Sequence, residues 1–249
     1  MSEPLLQASK LTRRFGGLAA VNNVSVDLHR GEVHGVIGTN GAGKSTLINM
    51  LSGELAASEG TIRLRGADIT AWSQPKRARA GIGRSYQRTT LYPEFSVFEN
   101  ARLSAQAAHA RPWAVWEAAR DCAYSTGVAH EALAVAGLAD KAESLAGTLS
   151  HGGKRQLEIA MCLATRPQVL LLDEPLAGMG AEETERMLAL LQDLKREHAV
   201  LLVEHDMDAV FRIADRITVM VNGEVIASDT PERIRTDPQV RVAYLGEGH

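Results

Sequence analysis

Hydrophobic and polar positions near the start of the chain repeat with the two-residue period of β-strands. Residues 4–37 are predicted to be strands, interrupted by glycine-containing turns at 15–17 and 29–31. Their apolar positions partly alternate with polar ones, at Val21, Val24, Val26 and Leu28. Alternation returns over 61–65, which predicts another half-exposed strand ahead of a glycine.

Further along, short apolar runs alternate with helical patterns. A buried strand is predicted at 169–172, and further short apolar strands are predicted at 33–37, 199–203 and 217–221. Helices are predicted from Gly43 to about Leu51 and over 181–196. Short apolar strands separated by helices favour a mostly parallel sheet with helices on both faces. The chain is therefore assigned to the α/β class.

The composition changes between about Ser96 and Ala136, where the sequence becomes rich in alanine and in other residues that favour helices. Pro112 and Gly127 are expected to break this region into separate helices. The pattern predicts a helical insertion in the α/β fold.

Composition narrows the class of protein. The chain has 249 residues, 45% of them hydrophobic, which suffices for one large domain or two small ones. A formal net charge of -3 gives no basic surface for nucleic acid. No apolar run is long enough to span a bilayer and the start lacks the form of a signal peptide, so a cytoplasmic location is expected unless a partner holds the chain at a membrane. Cys122 and Cys162 lack the spacing of metal ligands.

Candidate chemistry begins at residues 38–46, GTNGAGKST, which fit the pattern G-x-x-x-x-G-K-[ST] between a predicted strand and a predicted helix. Lys44 is expected to reach the β- and γ-phosphates of a nucleoside triphosphate, and the Ser45 hydroxyl is expected to bind Mg²⁺. The helix N-terminus adds its positive dipole end. Positive φ angles, which let successive N–H groups point at one anion, are expected at Gly38, Gly41 and Gly43. The remaining residues of the predicted cradle are Asn40, Ala42 and Thr46.

Two carboxylates follow the apolar strand at 169–172. Such a strand places Asp173 and Glu174 at the carboxyl edge of the sheet, where α/β folds bind ligands. Asp173 is expected to hold Mg²⁺ opposite Ser45, directly or through water. Glu174 is expected to accept a proton from an attacking water, a role that contributes about 10²–10⁴-fold to rate. The alternative is an ordinary solvated strand end.

Two further polar residues are candidates on weaker grounds. His205 follows the strand ending at residue 203, where its imidazole could donate to the γ-phosphate or orient the water. Gln87 follows residues 82–86, and its amide could accept from water and contact the metal. A lone histidine is ordinarily a surface residue, but a functional role is favoured for His205 because it lies at the end of a strand of the same sheet. For Gln87 the alternative is the usual one, a plain surface position.

With these elements in order, residues 149–160, LSHGGKRQLEIA, resemble the signature motif of the ATP-binding cassette family. The resemblance covers the chain and implies that Phe15 stacks on adenine, that Gln87 lies in the Q-loop, and that 177–180 form the D-loop. It also implies a P-loop NTPase core of the RecA-like type, with an N-terminal antiparallel β subdomain and a helical subdomain at about 88–165 inserted in a single nucleotide-binding domain, 1–249.

The same resemblance implies that two cassettes pair head-to-tail, with ATP and Mg²⁺ held between the P-loop of one and the signature of the other. The signature residues expected at that ATP are Ser150, Gly152 and Gly153. The chain departs from the usual L-S-G-G-Q at His151 and Gly153, and from the usual D-loop aspartate at Gly180.

Several stretches are similar to the ATP-binding subunits of hydrophobic (branched-chain) amino acid importers, including their urea and amide relatives: 14–18, 84–87, 157–160, 203–207 and 243–246. The resemblance implies an ATPase that powers uptake of branched-chain amino acids or a related small solute through transmembrane permease subunits. It implies a second ABC ATPase, identical or not, a solute-binding protein reached only indirectly, and no nucleic acid. The expected location is peripheral, on the cytoplasmic face of the inner (plasma) membrane.

The implied permease contact is the aromatic-rich stretch 88–100. Its apolar residues are equally consistent with packing of the helical insertion onto the core: Leu91, Tyr92, Pro93, Phe95, Val97 and Phe98.

Two other classes of protein fit the sequence less well. A soluble cassette in translation or DNA repair usually carries tandem cassettes, coiled-coil arms or zinc modules, and the sequence has none of these patterns. A P-loop kinase or GTPase is disfavoured by the signature and by the lack of an N-K-x-D motif.

Overall fold

The computed structural model of the protein describes residues 3–86, 91–109 and 122–245, without the side chains of the last two. Gln87 and Pro112, two residues named from the sequence, lie outside these ranges. Within them the strands are β1 (Leu6–Phe15), β2 (Leu18–Leu28), β3 (Val33–Gly38), β4 (Glu59–Leu64), β5 (Ala67–Asp68), β6 (Ile82–Arg84), β7 (Val169–Asp173), β8 (Ala199–Val203), β9 (Arg216–Val221) and β10 (Glu224–Asp229). The helices are α1 (Lys44–Ser52), α2 (Gln74–Arg79), α3 (Val97–His109), α4 (Ala123–Val135), α5 (His151–Leu163), α6 (Ala181–Leu194), α7 (Met207–Ile213), α8 (Pro231–Thr236) and α9 (Pro238–Val240). Short 3₁₀ turns occur at Ala139–Lys141 and Ala146–Thr148, and Arg241–Leu245 form a π-helical turn.

The strands form two sheets. The first has the order β2-β1-β4-β5, and its neighbouring strands run antiparallel. The second has the order β10-β9-β3-β8-β7-β6, in which β9 through β6 are parallel and only the edge strand β10 is antiparallel. The expected antiparallel subdomain and mostly parallel α/β core are therefore both present.

The parallel sheet is buried on both faces, which explains why β7 reads as an unbroken apolar run. Leu170 and Leu172 pack into one hydrophobic cluster together with Met187 and Leu191 of α6. Leu171 points the opposite way, into a second cluster that contains residues of α1 and of the antiparallel sheet. The core is thus layered helix, sheet, then helix and second sheet.

Helices α3, α4 and α5 pack together around a third apolar cluster, whose members include Val97, Ala129 and Leu157. The predicted break at Gly127 is wrong, because this residue lies inside α4. A side chain at this position would meet no other atom. The cost of a glycine in a helix, about 0.5–1 kcal/mol, is small enough for the packing of α4 to overcome.

The end of α1 is held by a buried arginine. Arg77 of α2 is 1% exposed, and its guanidinium donates to four main-chain carbonyl groups, those of Met50, Leu51, Thr70 and Trp72. The first two belong to the last turn of α1, which has carbonyls that lack partners within the helix. Arg77 therefore fixes the far end of the helix whose first residue is Lys44.

Helices long and apolar enough to cross a bilayer are absent from the parts of the chain that the structure describes.

Candidate nucleotide-binding site

The strand register sets the floor of the candidate site. Val203 of β8 pairs with Val36 of β3 on one side and with Asp173 of β7 on the other. The carboxyl ends of three parallel strands therefore lie at one level. Side chains that follow β3, β7 and β8 meet at this edge, which is where parallel α/β sheets bind ligands.

The loop between β3 and α1 needs its glycines for two different reasons. Gly41 and Gly43 have the positive φ expected from the sequence, 78° and 97°. At Gly43 a Cβ would also lie 2.3 Å from the carbonyl oxygen of Ala20. The expectation is wrong for Gly38, which is not among the positive-φ glycines. Its constraint is close approach, since a Cβ there would lie 2.4 Å from the Met220 carbonyl oxygen.

Lys44 closes this loop upon itself. Its Nζ donates to the carbonyl oxygens of Gly38, at 2.7 Å, and of Thr39, at 3.1 Å. Burial lowers the pKa of the ammonium group, and the nearby carboxylates of Glu174 and Asp173 oppose that effect. The ammonium group is therefore held inside the loop, and both carboxylates favour its charged form.

The other residues of the loop differ in exposure. Asn40, Gly41 and Ser45 are exposed, Thr46 is partly exposed, and Ala42 is buried. The first N–H groups of α1 lack partners within the helix and carry partial positive charge. Exposed polar groups and free N–H groups at one helix end make a cradle for an anion.

Asp173, 4% exposed, ends β7 beneath the loop. Its N–H donates to the Ser85 hydroxyl at 3.2 Å. Burial raises the pKa of the Asp173 carboxyl group, while the charges of Arg84 and Lys44 lower it. The Arg84 Nη2 atom lies 3.8 Å from an Asp173 oxygen.

Arg84 was not singled out from the sequence as a site residue. Its guanidinium donates to Asn49, Ser52 and Glu54, in or just after α1. It thereby connects Asp173 to the helix that follows the loop. A basic residue at the end of a short apolar strand is the signal that could have identified it.

Glu174 adopts a left-handed backbone conformation, with φ of 50°. For a residue other than glycine this conformation costs on the order of 1–3 kcal/mol. Its N–H donates to the Val203 carbonyl at 2.9 Å, which ties the turn to β8. The Nδ1 atom of His205, an exposed residue, lies 3.9 Å from a Glu174 carboxylate oxygen. The predicted carboxylate and the predicted histidine are thus neighbours.

A buried carboxylate behind them had no role assigned from the sequence. Glu204 is fully buried, and its two oxygens accept from the N–H groups of Leu176, at 2.8 Å, and His205, at 3.2 Å. Burial raises the pKa of this carboxyl group, and both main-chain donors oppose the rise. Glu204 therefore links the turn after Glu174 to the backbone of His205.

Phe15 lies at the exposed end of the β1–β2 hairpin, where it pairs with Leu18. Its ring is 48% exposed, and the Arg13 guanidinium lies 4.8 Å from the ring centroid. The same hairpin contacts the phosphate loop, because Ala20 approaches Gly43. Phe15 thus offers an exposed aromatic surface on the hairpin that contacts the phosphate loop.

The predicted signature forms the first turn of α5. Ser150 is the N-cap, and its hydroxyl accepts from the Gly153 N–H at 3.1 Å. Gly152 and Gly153 are buried. His151 Nε2 lies 2.9 Å from the Ala177 carbonyl oxygen. Since a carbonyl oxygen only accepts, Nε2 carries the proton. The signature therefore contacts the segment that follows β7, rather than standing alone.

Gln87 lies outside the described residues, but the residue before it is anchored. The Tyr86 carbonyl accepts from Arg155 of α5 at 3.1 Å, and Arg155 also pairs with Glu158 at 2.8 Å. The hydrogen bond from Arg155 to Tyr86 therefore joins the end of the described β6 region to the signature helix, and the buried ion pair with Glu158, within α5, holds Arg155 in place.

The donor set fits a nucleotide phosphate with Mg²⁺. Ser45 and Asp173 supply the hard oxygen ligands that this ion prefers, and nucleotide-bound Mg²⁺ needs only one or two protein ligands. Among the described residues, no group of three His, Cys, Asp or Glu side chains could hold a metal by itself. The arrangement therefore suits a metal that arrives with phosphates.

Comparison with known proteins agrees with the assignment of a nucleotide-binding site. Residues 21–177 match the family model for the ABC transporter, and residues 224–249 match that for the branched-chain amino acid ATP-binding cassette transporter. The chain is 42% identical to the high-affinity branched-chain amino acid transport ATP-binding protein BraF of Pseudomonas aeruginosa, over 99% of this chain and 100% of that protein. It is 40% identical to LivG of Escherichia coli, which carries the same description, over the same shares.

Solved structures agree with the relatives. The ADP conformation of MJ1267, an ATP-binding cassette of an ABC transporter, superposes with a TM-score of 0.86 at 29% identity, covering 99% of this chain and 100% of that one. A nucleotide-free ATP-binding cassette from an ABC transporter gives a TM-score of 0.85 at 30% identity, covering 98% of this chain and 100% of that one. The chain therefore belongs to the ABC transporter family, as an ATP-binding and ATP-hydrolysing subunit of the branched-chain amino acid type.

Proposed function

We propose that this chain powers the uptake of branched-chain amino acids, or of a related small solute, by hydrolysing ATP beneath a partner permease. The observation that carries the proposal is the shared level at which β3, β7 and β8 end. This shared edge supports a common site for Lys44, Glu174 and His205, which all follow these strands. The solute class comes from the relatives, whose names describe branched-chain amino acid transport.

Each side chain has a role that follows from its position. The N–H groups from Gly38 to Thr46 and the Lys44 ammonium bind the β- and γ-phosphates, and Phe15 stacks on the adenine. Glu174 takes the proton from the attacking water, because its carboxylate lies at the sheet edge with one oxygen 3.9 Å from His205 Nδ1. His205 orients that water and donates to the γ-phosphate. Glu204 holds the backbone of both turns.

Ser45 and Asp173 are the residues that would hold Mg²⁺, with Gln87 as a third ligand. When bound, the ion neutralises charge on the phosphates. Arg84 keeps the Asp173 carboxylate beside α1 through the contacts described above. No residue of this set acts on the transported solute.

The assembly follows from the signature. We infer that Ser150, Gly152 and Gly153 bind the ATP held by a second cassette, identical or not, so that ATP joins two subunits head-to-tail. The helical subdomain, at about 88–165 within the single domain 1–249, contacts the permease subunits, and a solute-binding protein acts only through them. The subunit is accordingly peripheral, at the cytoplasmic face of the inner membrane, and nucleic acid is not a partner.

The aromatic stretch before α3 is the proposed permease contact. Tyr92 and Phe95 are 54% and 46% exposed, and their rings stack with centroids 5.4 Å apart. Val97 is buried, whereas Leu91 and Phe98 pack against the apolar cluster of the helices. Among the described aromatic side chains of this stretch, the exposed pair is therefore the one available to a partner.

Substitution Glu174→Gln tests the proposal. The amide keeps the shape of the side chain but cannot accept a proton, so ATP binding should persist, turnover should fall by about 10²–10⁴-fold, and ATP-held dimers should accumulate. Dimer formation is measured by analytical ultracentrifugation, on the chain alone and mixed with its second cassette. Lys44→Ala is the control, expected to lose ATP binding and the dimer together. A Glu174→Gln variant that hydrolyses ATP at the wild-type rate would refute the assignment.

A further inference from the structure

A segment of seven residues, 177–183, runs from the end of the β7 turn into α6. Two side chains bond it to the first turn of α5. His151 Nε2 donates to the Ala177 carbonyl at 2.9 Å, and the Ser150 hydroxyl donates to a Glu183 carboxylate oxygen at 2.8 Å. The second contact places a negative charge on the signature.

The Glu183 carboxylate lies directly over the N-terminus of α5. A Cβ added to Gly152 would lie 2.5 Å from the Glu183 carboxyl carbon, so only glycine permits this approach. The pKa of Glu183 is lowered, most of all by the Ser150 hydroxyl and further by the N–H groups of Gly180 and Gly152. Glu183 is therefore an anion held by the donors of the signature itself.

These donors, Ser150 and the N–H of Gly152, are the groups that the proposed function assigns to the ATP of the opposite subunit. One set of donors cannot bind a carboxylate and a γ-phosphate at the same place, and the two anions repel each other. We propose that Glu183 is an internal competitor that occupies the signature of the resting subunit and is displaced when the partner's ATP docks. This inference rests on the proposed function.

Glu183 is not needed merely to cap α5. The Ser150 hydroxyl already accepts from the Gly153 N–H, which is the usual N-cap bond. The segment it anchors also reaches the catalytic turn, since the Ala177 N–H donates to the Glu174 carbonyl oxygen at 3.2 Å. Displacement of Glu183 thus removes one of the two side-chain bonds that hold the segment after Glu174, and couples signature occupancy to the position of that carboxylate.

The test compares two single charge removals in the Glu174→Gln background. Glu183→Gln removes the competing charge. Glu182→Gln removes the same charge one residue away, at an exposed side chain whose ion-pair partner is Arg186 at 3.4 Å. The ATP concentration that gives half-maximal dimer is measured by analytical ultracentrifugation, and melting temperature is measured on the same samples.

Glu183→Gln should lower the ATP concentration needed for half-maximal dimer roughly tenfold. This is the change in affinity expected from losing one hydrogen bond to a charged group. Glu182→Gln should leave it unchanged. If Glu183 had only a structural role, Glu183→Gln would lower the melting temperature and raise the ATP concentration needed for half-maximal dimer. An unchanged or raised ATP requirement for Glu183→Gln, with the parent still dimerising, would overturn the competition and leave the proposed function intact. A parent that forms no dimer, alone or with its second cassette, would refute the head-to-tail pairing and this inference with it.

Discussion

Acidification should destabilise the protein through one buried histidine on β3. His34 is 2% exposed. Its Nδ1 lies 3.2 Å from the Asp27 carbonyl oxygen and its Nε2 lies 2.8 Å from the Thr218 hydroxyl. Because a carbonyl oxygen only accepts, Nδ1 carries the proton and Nε2 accepts from Thr218. A second proton on the ring would have to reverse that hydrogen bond inside the core.

The size of the effect follows from the pKa of His34, which burial lowers from 6.5 to about 4. The unfolded chain binds the proton from about pH 6.5 downward, whereas the folded chain resists it until about pH 4. The contribution of His34 to the free energy of unfolding is therefore fully present above pH 6.5 and is lost as the pH falls towards 4. The difference between the pKa of His34 in the unfolded chain and in the folded chain corresponds to about 3 kcal/mol of unfolding free energy.

Urea unfolding at a series of pH values from 7.5 to 4.5 measures this loss, with circular dichroism as the signal. His34→Gln keeps a donor and an acceptor but does not titrate. Wild-type protein should lose about 2–3 kcal/mol more than the variant over this range. Glu32, whose carboxylate lies 3.7 Å from His34 Nδ1, remains in both proteins, as do Arg216 and His29, whose charges lower the His34 pKa. Parallel stability curves for the two proteins would refute the assignment to His34.

Two further predictions concern buried and exposed side chains. Arg77→Met should lower the free energy of unfolding by about 3–5 kcal/mol, because carbonyls in the last turn of α1 lose their donors. Urea unfolding measures this loss, and a loss under 1 kcal/mol would contradict the prediction. Tyr92→Ala or Phe95→Ala should abolish solute uptake in proteoliposomes while basal ATPase activity and melting temperature persist. The Phe98 ring stacks on His130 with centroids 4.7 Å apart. Phe98→Ala is therefore the packing control and should lower the melting temperature. Equal loss of both activities at Tyr92 or Phe95, with a lower melting temperature, would instead indicate packing.

Local pattern alone predicted much of the fold and part of the site. The run from Val169 to Asp173 is buried on both faces, so its periodicity is unbroken and identifies β7 without reference to other segments. The phosphate loop is equally local, because glycine spacing and the adjoining strand and helix lie within a few residues. Gly127 shows the limit of such patterns, since the packing of α4 overrides the preference of one residue.

The residues that sequence reasoning missed are those whose role depends on distant partners. Arg84 contacts α1 across more than thirty positions, and Glu204 accepts from Leu176 across twenty-eight. Glu183 meets Ser150 from another helix, across thirty-three. In the sequence, the neighbours of each of these charged residues do not distinguish it from an ordinary surface charge.

The sequence by itself determined which segments are strands or helices and which residue types could bind phosphate, because periodicity and glycine spacing are properties of neighbouring positions. Only the tertiary structure decided which charges face one another. Strand register brings Asp173 level with Val36 and Val203, and helix packing brings the Glu183 carboxylate onto the signature. Those distances are set by how the layers pack, and a linear pattern of hydrophobic and polar residues does not encode them locally.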